Sequence, residues 1–121
     1  MKRDLDLIRK IILSIEESES AQAPTHLAVE GYTEAQINYH AWLLVDAGLA
    51  MGADTTHMES DGPAAIITNL TWTGHEFAEA ARNENRWKAA ITTVKEKAGT
   101  ATVAVLTQLL AEYMKRSLGL L

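Results

Sequence analysis

Cysteine is absent from the 121 residues, which excludes a disulfide framework and thiol chemistry and is compatible with a reducing cytoplasm. No stretch approaches the ~18 consecutive apolar residues that a membrane span needs. Asp4 and Asp6 interrupt what would be the apolar run of a signal peptide, so a soluble cytoplasmic protein is expected, with no membrane partner. Basic residues are also scarce. Eleven Lys or Arg stand against 16 Asp or Glu, a net charge of −5, and from Gly31 to Asp61 there is neither Lys nor Arg. A duplex-binding domain normally carries a basic face, because phosphate neutralisation supplies most of its non-specific affinity. The charge balance therefore weighs against nucleic acid, while leaving room for a local basic patch.

The constellations of catalysis are missing too. The seven glycines are dispersed, so there is no phosphate-cradling loop. Ser14, Ser18, Ser20, Ser60 and Ser117 lie in no nucleophile elbow. His26, His40, His57 and His75 show none of the spacings that put two imidazoles on one helical face, and a metal site is not expected. The plainer reading has His40 partly buried and His75 bonded near a helix start. Carboxylates at Glu16, Glu17 and Glu19, and at Asp54, Glu59 and Asp61, fall in solvated positions without the burial that tunes a catalytic acid. No enzyme activity and no cofactor is expected.

What is present is ordinary globular material: 47% apolar and 22% charged residues, in a length that fits one domain of about 100–200 residues. The organising stretch is GYTEAQINYHAWLLVDAGL, Gly31 to Leu49. Thr33 and Gln36 form a capping box. Ile37, Ala41, Leu44, Val45 and Gly48 share one face, and Gly48 supplies a left-handed stop. The outward face carries Glu34, Ala35, Asn38, Tyr39, and Trp42 or Asp46. Before it, Asp4 to Ser18 predicts a helix with Leu5, Ile8, Ile11, Ile12 and Ile15 on its core stripe. A brief strand is expected over 25–30 from the alternation in THLAVE.

After it come two strands, Leu49–Asp54 and Ala64–Leu70, around a polar, loose tip containing Gly62-Pro63. A helix then starts at Thr71, with a capping box expected at Thr73 and Glu76 and Phe77, Ala80 and Ala81 turned inward. Asn83 to Asn85 breaks it before Trp87, and Gly99 stops the shorter helix that follows. The final helix, Thr102–Ser117, has an apolar stripe wider than one small core needs. Its Val105, Leu106, Leu109, Leu110 and Tyr113 are candidates for an oligomer interface. Trp42, Trp72 and Trp87 read as core or interface, since stacking on single strands wants interleaved bases that only Trp87 has, in Arg86 and Lys88.

Three motifs carry a family resemblance: the MKRDLDLIRKI opening, Gly31-Tyr32 ahead of the central helix with His40-x-x-Leu43-Leu44-x-Asp46-Ala47-Gly48-Leu49 through it, and Leu70-Thr71-Trp72-x-Gly74-His75-Glu76-Phe77. In these the chain resembles the bacterial and prophage family called domain of unknown function 2513, well over Met1 to about Trp87 and loosely over the C-terminal helix. The central segment also resembles winged-helix transcription factors, whose helix of this pattern enters the major groove. The resemblance implies a bacterial or phage origin and a mainly α fold with a small β-hairpin. That fold is a winged helix-turn-helix-like domain with an appended C-terminal helix. It implies no activity.

The expected organisation is a single domain, 1–121, with a winged-helix-like core over 1–86 and a helical extension over 87–121. Two functional classes fit. The leading expectation is a DNA-binding transcriptional regulator that meets double-stranded DNA through Thr33, Glu34, Gln36, Asn38 and Tyr39. It leads only because folds of this kind are so often used that way. The alternative is a non-enzymatic protein-interaction or homo-oligomerisation module that has lost its DNA surface. The missing bases favour it, and Lys2, Arg3, Arg9 and Lys10 offer the regulator a different face.

Overall fold

The computed structural model describes residues 1–24, 27–98 and 103–119. Among these described residues five helices and one hairpin follow in the order α1 (Leu5–Glu16), α2 (Glu34–Asp46), β1 (Ala50–Asp54), β2 (Ala65–Leu70), α3 (Trp72–Ala81), α4 (Glu84–Ala98) and α5 (Val103–Ser117). This is the expected mainly helical, winged-helix-like arrangement, a helix running at once into a two-stranded antiparallel hairpin. The chain gathers into two compact units, Met1–Ala78 and Glu79–Leu121.

In the first unit α1 starts at Asp4, whose Oδ1 accepts the Leu7 N–H at 3.1 Å. Ile8, Ile11, Ile12 and Ile15 are buried as expected, joined by Leu7, while Leu5, expected on the stripe, is only half-buried. Each buried side chain contributes about 1.5–3 kcal/mol by leaving water. The capping box of α2 forms as expected, with the Thr33 N–H donating to Gln36 Oε1 at 2.8 Å and the Gln36 N–H to Thr33 Oγ1 at 3.2 Å. Its far end closes by two bonds, from the Gly48 N–H to the Val45 carbonyl and from the Leu49 N–H to the Leu44 carbonyl. Gly48 takes φ +77°, the left-handed conformation that a glycine adopts without penalty.

Ile37, Ala41 and Leu44 of α2 are buried, as are Ala65 and Ile67 on the sheet face that meets it. The hairpin pairs Ala50 with Leu70 and Asp54 with Ala65, with an irregularity between Met51 and Gly52. Gly52 lies so close to β2 that a Cβ there would stand 2.2 Å from the Ile66 carbonyl oxygen. Two local expectations differ from the structure. Leu27 to Glu30 form no strand, and Thr25 and His26 lie outside the described residues. The backbone instead pairs earlier, where the Ala23 N–H donates to the Thr68 carbonyl at 2.7 Å. Pro24 follows and has no N–H to continue the ladder.

The N-cap of α3 is Thr71, not Thr73. Thr71 Oγ1 accepts the Gly74 N–H at 3.0 Å, and its own N–H donates to the Leu49 carbonyl. Gly74 is buried so tightly that a Cβ would meet the Leu49 carbonyl oxygen at 1.9 Å. Glycine is thus required there by space and not by dihedral angle. Phe77 and Ala78 complete the buried side of the helix within this unit.

In the second unit the Asn83 side chain caps α4 through the Arg86 N–H at 3.0 Å, which explains the break between helices that the asparagines announced. Trp87, Ala90 and Val94 of α4 and Leu106 and Leu110 of α5 are buried. Thr93 and Tyr113 hydroxyls lie 2.9 Å apart and join the two helices. Gly99 and Thr102, the expected stop of one helix and start of the next, lie outside the described residues.

Candidate interaction surface

The outward side of α2 and the hairpin tip form the surface on which a winged helix would receive its ligand. The tip, expected to be loose, is held by its own hydrogen bonds. Asp54 Oδ1 accepts the Thr56 N–H at 2.8 Å, and Thr56 Oγ1 accepts the Ala64 N–H at 2.9 Å. His57 and Ser60 bond reciprocally, each backbone N–H at 3.0 Å from a Ser60 hydroxyl or a His57 carbonyl. Gly62, at φ +102°, turns the chain back toward β2. The tip so folded leaves a groove of about 380 Å³ against the first turns of α2. Glu34, Asn38, His57, Glu59 and Asp61 supply its polar lining.

The five residues expected to meet DNA fall into three groups. Thr33 and Gln36 engage each other in the capping box, so the threonine hydroxyl and the glutamine carbonyl oxygen are committed to the backbone. Glu34 and Asn38 are exposed and line the groove. Tyr39, half-buried, stacks on Trp42 with ring centroids 6.4 Å apart and planes only 6° from parallel. The Trp42 indole N–H points to Asp54 Oδ2 at 3.4 Å, tying the helix to the end of β1. Hydrogen bonds from Thr56 hold the Asp54 carboxyl below its ordinary range, chiefly through the side chain, with a smaller lowering from Trp42.

Charge decides what this surface can receive. From Ile11 to Ala81 the sequence contains eleven Asp or Glu and neither Lys nor Arg, a longer gap than the central helix alone announced. Every residue lining the groove lies inside that span. Among the described residues no Lys or Arg pairs with Glu34, Glu59 or Asp61. No group of three His, Cys, Asp or Glu suited to a metal ion occurs among the described residues. The described helices include none long and apolar enough to cross a membrane.

Behind the surface is a buried polar join that sequence reasoning missed. His40, 1% exposed, accepts the Asp4 N–H at Nε2 (2.8 Å) and donates from Nδ1 to the Gln36 carbonyl (2.7 Å). Asp4 Oδ2 also accepts the Tyr32 hydroxyl at 3.1 Å, while the Lys10 ammonium lies 5.5 Å from the centre of the Tyr32 ring. Burial, then the Asp4 hydrogen bond and the charges of Asp4 and Asp6, push the Tyr32 hydroxyl above its ordinary titration range. The sequence pointed to a partly buried His40, but not to its partners Asp4 and Tyr32, which lie 36 and 8 residues away along the chain.

The expected oligomer residues of α5 also divide. Leu106 and Leu110 are fully buried within the single chain, and Tyr113 is half-buried against Thr93. Val105, 45% exposed, faces outward, and Leu109 is half-buried. Of the five, Leu106 and Leu110 are thus packed within the chain, while Val105 is open to solvent.

A family model described as "Hypothetical protein (DUF2513)" matches residues 2–101. An uncharacterised protein of Haemophilus influenzae is 36% identical over 100 residues, covering 80% of this chain and 81% of its own length. No solved structure matches.

Proposed function

This chain belongs to the DUF2513 family of hypothetical proteins, and from that premise we propose that it is a non-enzymatic protein-interaction module of winged-helix-like shape. One observation carries the reading: the groove between α2 and the hairpin tip is lined by Glu34, Glu59 and Asp61, in a span without Lys or Arg. Phosphates approaching that groove meet like charge, and Thr33 and Gln36 beside it are occupied as caps. A protein surface carrying Lys or Arg meets opposite charge there, with the Tyr39–Trp42 pair nearby to receive a cation on its rings.

The test is fluorescence anisotropy of a labelled mixed-sequence duplex titrated at two salt concentrations. No binding at low salt is the expected result. Double-stranded DNA is the second reading, favoured by the clustering of Lys2, Arg3, Arg9 and Lys10 in the first ten residues. Duplex binding that weakens steeply with salt, and is lost on reversing Lys2 and Arg3 to Glu, would establish the regulator and remove the interaction module.

A further inference from the structure

We propose that the face formed by the outward side of α2 and the hairpin tip docks on the lysine-bearing face of α4 in a second copy of this chain. The inference rests on the interaction-module reading and names its partner. Charge is divided between the two units. Met1–Ala78 carries twelve Asp or Glu against four Lys or Arg, a net −8, and Glu79–Leu121 carries four against seven, a net +3, which together give the −5 of the chain. Such an asymmetry favours contact between unlike parts of two molecules over contact between like parts.

The individual groups agree with that total. Glu34, Glu59 and Asp61 have no Lys or Arg partner among the described residues, and all three are exposed. On the other side Lys88 and Lys95 are exposed and seven residues apart, which puts them on one face of α4. Among the described residues Lys88 reaches only its own helix, Glu84 at 3.5 Å, with both side chains about two thirds or more exposed. Lys95 has no carboxylate partner among the described residues. Lys115 and Arg116 add two exposed cations in the last turn of α5.

The aromatic pair points the same way independently of net charge. Tyr39 and Trp42 are held parallel on the outward side of α2, with Trp42 fixed by Asp54, so their ring faces are oriented before any partner arrives. A lysine or arginine stem laid on such a face is held by the ring as well as by the carboxylates. The contact joins two different patches. It therefore either closes as a two-fold dimer with two equal contacts or continues head to tail.

The experiment is sedimentation velocity on the full chain across a concentration series at low and high salt. Species larger than the monomer at low salt, dissociating as salt rises, are expected, because exposed charges are screened over about 10 Å at 0.1 M. Glu59→Lys with Asp61→Lys, and separately Lys88→Glu with Lys95→Glu, alter exposed side chains only. Circular dichroism verifies that both variants remain folded. Each alone should weaken association at least tenfold. Mixed together they should associate again, since each unlike pair of faces is then oppositely charged.

A monomer at every salt concentration, or a mixture that fails to restore association, overturns the proposal. A short oligo-lysine peptide separates that failure from failure of the parent reading. Peptide binding to a strictly monomeric wild type, lost in Glu59→Lys with Asp61→Lys, overturns self-docking and keeps an interaction module with another basic partner. No association and no peptide binding overturns both.

Discussion

Asp4 and His40, thirty-six residues apart, are joined by a hydrogen bond from the Asp4 N–H to His40 Nε2 at 2.8 Å. The other ring nitrogen faces a carbonyl, the Gln36 oxygen, which can only accept. Nε2 is therefore the accepting nitrogen and Nδ1 the donating one. Nitrogen-15 chemical shifts of His40 should show that tautomer alone. His40→Ala leaves the Asp4 N–H without its acceptor and empties a buried site, and should cost about 2–4 kcal/mol in urea unfolding. A loss under about 0.5 kcal/mol would mean that the bond is not formed in solution.

Two glycines should respond to alanine for different reasons. At Gly74 a methyl group would collide with the Leu49 carbonyl oxygen, so the start of α3 has to move off the base of the hairpin. A loss of about 2 kcal/mol or more is expected. At Gly48 there is open space, and only the positive φ is penalised, by roughly 1 kcal/mol. Gly48→Asn should recover part of that loss and Gly74→Asn none. Equal losses for the two alanine variants would contradict the geometry.

Tyr32 predicts an alkaline limit. Its folded pKa lies above the ordinary 10.0, so the stability it contributes is present below that value and is lost as pH rises through the folded one. Phenolate absorbance followed against pH should show one tyrosine titrating late. Asp4→Asn should draw it back toward the others, because a hydrogen bond to a charged acceptor is removed. Asp54 gives the opposite limb. Its folded pKa is depressed below 3.8, so its contribution is present above 3.8 and is lost as pH falls through the folded value. Trp42 fluorescence should change in that acidic range, and Asp54→Asn should abolish the change.

Charged substitutions along α5 separate core from surface. Leu106→Lys places an ammonium where the side chain is fully buried and should unfold the second unit. Val105→Lys, at a position 45% exposed, should change stability by less than about 0.5 kcal/mol. Helical content and urea midpoints distinguish the two. A Val105→Lys variant as unstable as Leu106→Lys would mean that Val105 is covered in solution.

What could be read in advance follows the range of the interactions. The capping box of α2, the glycine stop at Gly48 and the isoleucine stripe of α1 are local patterns, and all three appear where the spacing put them. The N-cap of α3 was displaced by two residues because Thr71 is held by Gly48 and Leu49, partners more than twenty residues away. Leu27 to Glu30 form no strand although their residues alternate, because the backbone meets the β2 edge earlier, at Ala23, and Pro24 has no N–H to continue the pairing. The acidity of the tip was plain from Asp54, Glu59 and Asp61, but the groove depends on Thr56 meeting Ala64 and His57 meeting Ser60. Along α5 the spacing marked an apolar stripe, and which of its residues pack within the chain, Leu106 and Leu110, follows from the approach of α4, a contact between separate helices.

The stretch without Lys or Arg has a practical side. Trypsin cuts after those residues, so even a fully unfolded chain yields one long peptide from Ile11 to Arg82. It contains α2, the whole hairpin and the groove. Amine-directed cross-linkers, acylating reagents and any enzyme that modifies lysine find no target in it. Cross-links seen by such reagents report only on the first ten residues and the second unit. The candidate surface has to be mapped through its carboxylates, through His57 or through Trp42.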